Sequence, residues 1–422
     1  MSNPANVKRQ TSSSEFIDVT VVVCRLSLVG GLLILLAFAS PAHSAITNYQ
    51  SPITIDSASV THTFGEQIIF NLTAHGPNDI IEAALLMRTG ADSRTEVLTA
   101  EFTPGPSITA RATHNLQARP LTPFANILYQ WRLTDSAGNT LTAPEQIHFY
   151  DDNRFEWQTA QRDVIVAHWH AGEVAFGQAV ADIGHEALNR ASQLMNAPAP
   201  ERIDIYVYER LDDLRTALRF GGREWVGGHA DPELGVVMVF AAPDDAELIR
   251  LRNDLAHELT HVLIYQIVGP GYDQMPVWLD EGLATAAELE PRSDYADTLD
   301  KAVKAEALIP ITSLCAPFSP DPSRAILSYA ESASLVRYIQ DAWGPAKISQ
   351  LLLKYRDGAT CEGGVQNVLE VSLAELQTQW EGDALRTNPL IKFWRLMEPY
   401  GVVYGIVILS LFALPFILRR KT

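Results

Sequence analysis

Two histidines stand four residues apart with a glutamate between them, in the run His257-Glu258-Leu259-Thr260-His261. On an α-helix, positions i and i+4 share one face about one turn apart. Two imidazoles in that relation can ligate one zinc ion, and the intervening Glu258 can reach a water on that ion. The flanks support a helix. Leu248, Leu251, Leu255, Leu259, Val262 and Leu263 recur at helical spacing, and Gly269-Pro270-Gly271 stops the run. The competing reading is a plain buried helix with two hydrogen-bonded histidines.

A catalytic zinc takes three protein ligands and keeps one position open. The segment Pro276-Val277-Trp278-Leu279-Asp280-Glu281-Gly282-Leu283-Ala284 begins with Pro and sets apolar residues around an acidic pair, which predicts a second helix. Glu281 is placed in sequence to be the third ligand. A ligand histidine usually gives its second N–H to a carboxylate or carbonyl, and Asp254 and Asp280 are candidates. His168, His170 and His229 read as structural.

HELTH followed by WLDEGLA resembles the gluzincin zinc peptidases, in particular the peptidase MA-like family. The close match spans these two helices, and a looser one runs from about Phe155 to Leu385. The resemblance implies His257, His261 and Glu281 as ligands of one Zn2+ ion and Glu258 as general base. The spacing from His261 to Glu281 is one residue longer than in the aminopeptidase branch, so substrate preference does not transfer. Tyr329, in Ser328-Tyr329-Ala330, is a candidate oxyanion donor by family-style position, with a core tyrosine as the competing reading. In gluzincins the strand before the metal-binding helix edges the sheet along the cleft. The resemblance implies that role for Leu234–Phe240, with Gly227-Gly228-His229-Ala230 as a cleft-lining segment or a plain loop.

At 422 residues the chain has room for two or three domains. Its net charge of −18 has no basic stripe beside it, which argues against a nucleic-acid partner. Lys8, Arg9 and Arg25, an apolar run over Leu26–Ala39 and the small residues Ser40-Pro41-Ala42-His43-Ser44-Ala45 predict a signal peptide over 1–45, with an uncleaved signal anchor as the alternative. The apolar run Tyr400–Leu418, followed by Arg419-Arg420-Lys421, is long enough to cross a hydrocarbon core of about 30 Å. A transmembrane helix is expected over 399–418 and a cytoplasmic tail over 419–422, with the body of the chain outside the cytoplasm. In an oxidising compartment Cys315 and Cys361 can pair.

Residues 46–150 show short apolar or alternating runs separated by turn residues, including Gly76-Pro77-Asn78-Asp79 and Ser136-Ala137-Gly138-Asn139. They predict an immunoglobulin-like β-sandwich with no ligand cluster. Residues 151–388 predict the zinc peptidase domain. Expected there are a helix over His168–Ala191, a strand over Ile203–Tyr208, a short helix over Arg210–Arg219 and helices over Tyr329–Trp343, Ile348–Tyr355 and Leu373–Leu385. The expected fold class is α+β: a sandwich, then a thermolysin-like, mainly helical domain, then a membrane helix. The function these expectations favour is a membrane-anchored, outward-facing zinc metallopeptidase acting on peptides or proteins. A catalytically silent, peptidase-like binding or adhesion protein of the cell surface is the competing class, and the presence of Glu258 speaks for the enzyme.

Overall fold

The computed structural model describes residues 51–90, 94–219 and 228–385. The expected signal peptide, the segment 399–418 and the tail lie outside the described residues. Among the described residues no helix is long and apolar enough to cross a membrane.

The first half is antiparallel β-structure. It comprises β1 (Thr54–Thr63), β2 (Gln67–Arg88), β3 (Glu96–Thr99), β4 (Gly105–Asn115), β5 (Ala125–Asp135), β6 (Thr140–Thr142) and β7 (Gln146–Tyr150). All seven strands hydrogen-bond into one sheet, where a sandwich of two sheets was expected. The cause lies in β2. Gly76-Pro77-Asn78-Asp79 reads as a turn, yet the strand runs through it. Its first half pairs with β1 and β4, its second with β3 and β5. The register shifts between His75 and Ile80, and again between Ile80 and Glu82. Buried positions change parity there, from Ile68, Phe70, Leu72 and Ala74 to Ala83, Leu85 and Met87. An irregularity of that kind turns a strand's inward face over without ending the strand. Ser136–Asn139 does form the expected turn, with Gly138 at φ 83°.

The second half begins with a mixed five-stranded sheet in the order β11-β12-β10-β9-β8. Its strands are β8 (Gln158–Arg162), β9 (Ile165–Trp169), β10 (Ile203–Tyr208), β11 (Gly228–Asp231) and β12 (Val236–Phe240). β9, β10 and β12 run parallel, while β8 and β11 are antiparallel edges. Two expectations are corrected here. His168 lies in a fully buried strand, and helix α1 (Val174–Met195) begins only after Gly172, at φ 93°. The run, apolar except for His168, suits a strand covered on both faces, which periodicity alone does not separate from a helix. The edge strand is β11, not Leu234–Phe240. β12 lies inside the sheet, because Gly228–Asp231 pairs along its outer side.

Helix α2 (Leu211–Arg219) follows β10, and α3 (Asp245–Val268) carries the HExxH run. Asp244 caps α3 by accepting the Glu247 N–H, and Gly269 ends it at φ 63°. A 3-10 turn over Gly269–Gln274 leads to α4 (Val277–Ala287). The rest is helical: α5 (Ser293–Lys304), α6 (Ile311–Leu314), α7 (Pro322–Trp343), α8 (Pro345–Arg356), α9 (Cys361–Leu369) and α10 (Leu373–Asp383). Cys315 and Cys361 form a disulfide. The Cys315 carbonyl accepts the Val277 N–H at 3.3 Å, which ties the start of α4 to the cross-linked segment.

Two apolar cores result. One joins α1, α3, α4 and α7–α10 to one face of the five-stranded sheet. The other joins the inward face of the seven-stranded sheet to Tyr206, Tyr208, Val236 and Met238 on the opposite face of the five-stranded sheet. The N-terminal sheet therefore shares its core with the sheet that supports α3.

Candidate metal centre

Helix α3 turns its leucines inward and leaves His257, Glu258 and His261 only partly covered. Leu251, Leu255, Leu259 and Leu263 are fully buried, and they fix the rotation of the helix about its axis. Helix α4 then brings Glu281 to the same point. A Cβ on Gly282 would lie 2.7 Å from the Ser332 carbonyl oxygen of α7. Only glycine permits that approach of α4 to α7, and the preceding residue is Glu281.

His257, His261 and Glu281 each offer one ligand atom, and these atoms lie within 4.8 Å of one another. The Glu281 Oε2 atom is 3.3 Å from His257 Nε2 and 3.8 Å from His261 Nε2. The three residues named from sequence thus converge, with both histidines presenting Nε2. Their side chains keep 20, 12 and 22 % of their surface exposed, which leaves the group open on one side.

The remaining ring nitrogens are also held. His261 Nδ1 is 2.9 Å from Asp280 Oδ1. The Tyr272 hydroxyl donates to Asp280 Oδ2 at 3.0 Å and lies 3.1 Å from His261 Nδ1. His257 Nδ1 faces Glu288 Oε1 at 3.6 Å. Of the two carboxylates weighed from sequence, Asp280 meets a histidine. Asp254 is engaged by Arg250 instead. Glu288 and Tyr272 escaped sequence reading. Glu288 had a signal, since it follows Glu281 by two helical turns. Tyr272 had none, since it sits in an irregular turn.

Burial works against charge on His257, but the Glu281 and Glu288 carboxylates outweigh it and hold the imidazole pKa well above its ordinary value. The same balance, with Asp280 as the main partner, raises His261. Burial raises the Glu258 carboxyl. Four carboxylates (Glu258, Asp280, Glu281, Glu288) surround two imidazoles, an excess of negative charge that a divalent cation would balance. Two imidazole nitrogens and one carboxylate oxygen, each imidazole backed by a second carboxylate, are a donor set that fits zinc.

Two elements flank the group. A Cβ on Gly228 of β11 would lie 3.1 Å from Glu258 Cγ, so the edge strand passes directly against that glutamate. On the other side the Tyr329 ring stands edge-on to His257, with centroids 6.2 Å apart. Among the described residues the Tyr329 hydroxyl makes no hydrogen bond. Burial pushes its phenol well above the ordinary range, so it keeps its proton. His168 bonds Asp204 at 2.6 Å, His170 meets the Glu209 N–H, and His229 lies on β11, so none of these joins the group.

Residues 183–385 match the sequence model of the Peptidase MA superfamily. This part of the chain is similar to the Peptidase MA superfamily. No curated protein sequence matches the chain. Among solved structures it is similar to an M1 zinc metallopeptidase from Deinococcus radiodurans, at 15 % identity over 78 % of this chain and 94 % of that one, with a TM-score of 0.36. It is also similar to OgpA from Akkermansia muciniphila, at 8 % identity over 24 % of this chain, with a TM-score of 0.20. The chain spans about 28 % of the length of OgpA.

Proposed function

We propose that the protein is a zinc-dependent metallopeptidase that hydrolyses peptide bonds. The convergence of His257, His261 and Glu281 within 4.8 Å, with Glu258 beside them, carries this reading. A zinc ion held by these three side chains would supply Lewis acidity to the scissile carbonyl and make water acidic enough to attack near neutral pH.

The chain's own residues have separate tasks. The Glu258 carboxylate takes the proton of the attacking water and passes it to the leaving amine nitrogen. Asp280 and Glu288 fix the orientation of the imidazoles. Tyr329 keeps its hydroxyl proton and donates it as a hydrogen bond to the oxyanion. An extended peptide adds to the outer side of β11, which brings its backbone past Gly228 to Glu258. The reading includes an exported body held by the apolar segment 399–418, which lies outside the described residues.

The test measures zinc on the purified protein and cleavage of a broad peptide library by wild type and Glu258→Ala. Bound zinc, cleavage by the wild type and a loss of about 100-fold or more in the variant are expected. Zinc without cleavage would turn the reading to a silent, peptide-binding relative. Absence of both would end it.

A further inference from the structure

A cavity of about 540 Å³ lies beside the metal centre, walled by α5, α7 and the end of α10. It is one ring removed from the ligands. Tyr295 lines it and stacks against Tyr329 with centroids 6.4 Å apart at 9°, and Tyr329 in turn faces His257. Arg292 also lines it, reaching Glu288 at 3.7 Å behind His257. The cavity and the centre therefore share a wall.

Its charged groups are not equally engaged. Arg292 pairs with Asp294, through contacts of 3.1 Å from Nε and from an Nη. Asp383 accepts the Tyr338 hydroxyl at 3.1 Å. Arg337 of α7 makes no hydrogen bond or ion pair among the described residues, although the chain as a whole carries an excess of carboxylates. Arg337 is solvent-exposed and lines the cavity, so its guanidinium can be reached from it. A guanidinium that lines a cavity without an internal carboxylate partner offers its fork of N–H donors to an incoming anion. Asp341, one turn along α7, lines the cavity but lies beyond ion-pair distance of Arg337. Its charge opposes the entry of an anion into the cavity.

We propose that this cavity is a specificity pocket for a carboxylate of the peptide substrate, with Arg337 as the recognising group. The assignment rests on the peptidase reading above. A planar guanidinium receives a carboxylate through two parallel N–H···O bonds, which fixes direction as well as charge. The carboxylate is that of a Glu or Asp side chain, or the free C-terminus of a short peptide.

The experiment uses matched peptides with Glu or Gln scanned along the sequence, each with a free or an amidated C-terminus. Cleavage by the zinc-loaded full chain is compared with binding of the same labelled peptides, by anisotropy, to Glu258→Gln protein with and without zinc. The wild type should prefer Glu at one position, or a free C-terminus, by about 10- to 100-fold in kcat/KM and in Kd. In Arg337→Gln that ratio should collapse to about one, and Arg337→Lys should restore part of it. Asp341→Asn should raise the ratio, because it removes the opposing charge. Preference for Glu identifies a side-chain carboxylate, and preference for the free acid identifies the terminus. A ratio near one in wild type, a ratio that survives Arg337→Gln, or a ratio lowered by Asp341→Asn would overturn the assignment. If nothing is cleaved, the peptidase reading falls, and the binding ratio still decides the pocket.

Discussion

The molecule contains two histidine pairs of nearly the same geometry. In the N-terminal sheet, His62 and His148 have ring centroids 5.0 Å apart at 71°. On α3, His257 and His261 have centroids 5.0 Å apart at 75°. The first pair is closed on itself. His62 Nδ1 meets His148 Nε2 at 2.9 Å, and His62 Nε2 meets the Asp151 carbonyl at 2.9 Å. The second pair sends both Nε2 atoms toward Glu281 and gives both Nδ1 atoms to carboxylates. Ring spacing therefore does not distinguish a metal site from a structural contact. What distinguishes them is where the lone pairs point and whether a carboxylate closes the third side. A helix imposes that direction on i, i+4 partners, whereas cross-sheet partners meet wherever the register brings them.

The contrast can be broken most strongly at Glu281. Glu281→Ala should reduce zinc affinity by more than the 10- to 100-fold typical of an outer partner, whereas His148→Ala should leave zinc content unchanged. Isothermal titration and metal analysis on the two variants make the comparison. Equal zinc loss in both, or in neither, would erase the distinction.

A finer test concerns the backing carboxylates. Asp280→Asn and Glu288→Gln should each lower zinc affinity by about 10- to 100-fold while keeping one ion per chain at saturation. Asp280 should have the larger effect, because its contact of 2.9 Å with Nδ1 is shorter than the 3.6 Å of Glu288. A reversed order would show that Glu288 serves the centre chiefly through Arg292.

The smallest effect belongs to the sheet pair. Burial, then the His62 charge, lower the His148 pKa below its ordinary 6.5, against the pull of Asp151. As pH falls through 6.5 the unfolded chain takes up its proton before the folded one does. The contribution of His148 to stability is therefore full above that pH and lost as pH drops toward its folded pKa. Thermal unfolding from pH 7.5 to 5 should show this decline, and His148→Gln should flatten it at a cost of about 0.5–1.5 kcal/mol at neutral pH. Parallel curves for the two proteins would contradict the assignment.

Helix α3 was legible in sequence because its periodicity, cap and glycine stop are all local. So was α4, from Pro276 onward. The strand Ile165–Trp169 was not, since a fully buried apolar run has no period to read. The edge strand was misplaced for a related reason. Val236–Phe240 is the stronger β-former, but a sheet's edge is set by which segment pairs last, and Gly228–Asp231 does so with weak local propensity. The single N-terminal sheet was missed because Gly76–Asp79 has the composition of a turn, while cross-strand bonding on both sides carries β2 through it.

Sequence alone determined the identities and the spacing of His257, Glu258 and His261 on one helical face, because i, i+4 geometry needs only the local backbone. It also supplied Glu281 as a candidate. Tertiary structure decided that Glu281 arrives there, through the close approach that Gly282 permits between α4 and α7. It decided too that Asp280 and Glu288 stand behind the imidazoles and that Arg337 faces a cavity without a partner among the described residues. These are distances between distant parts of the chain, which depend on how helices pack and not on any local propensity.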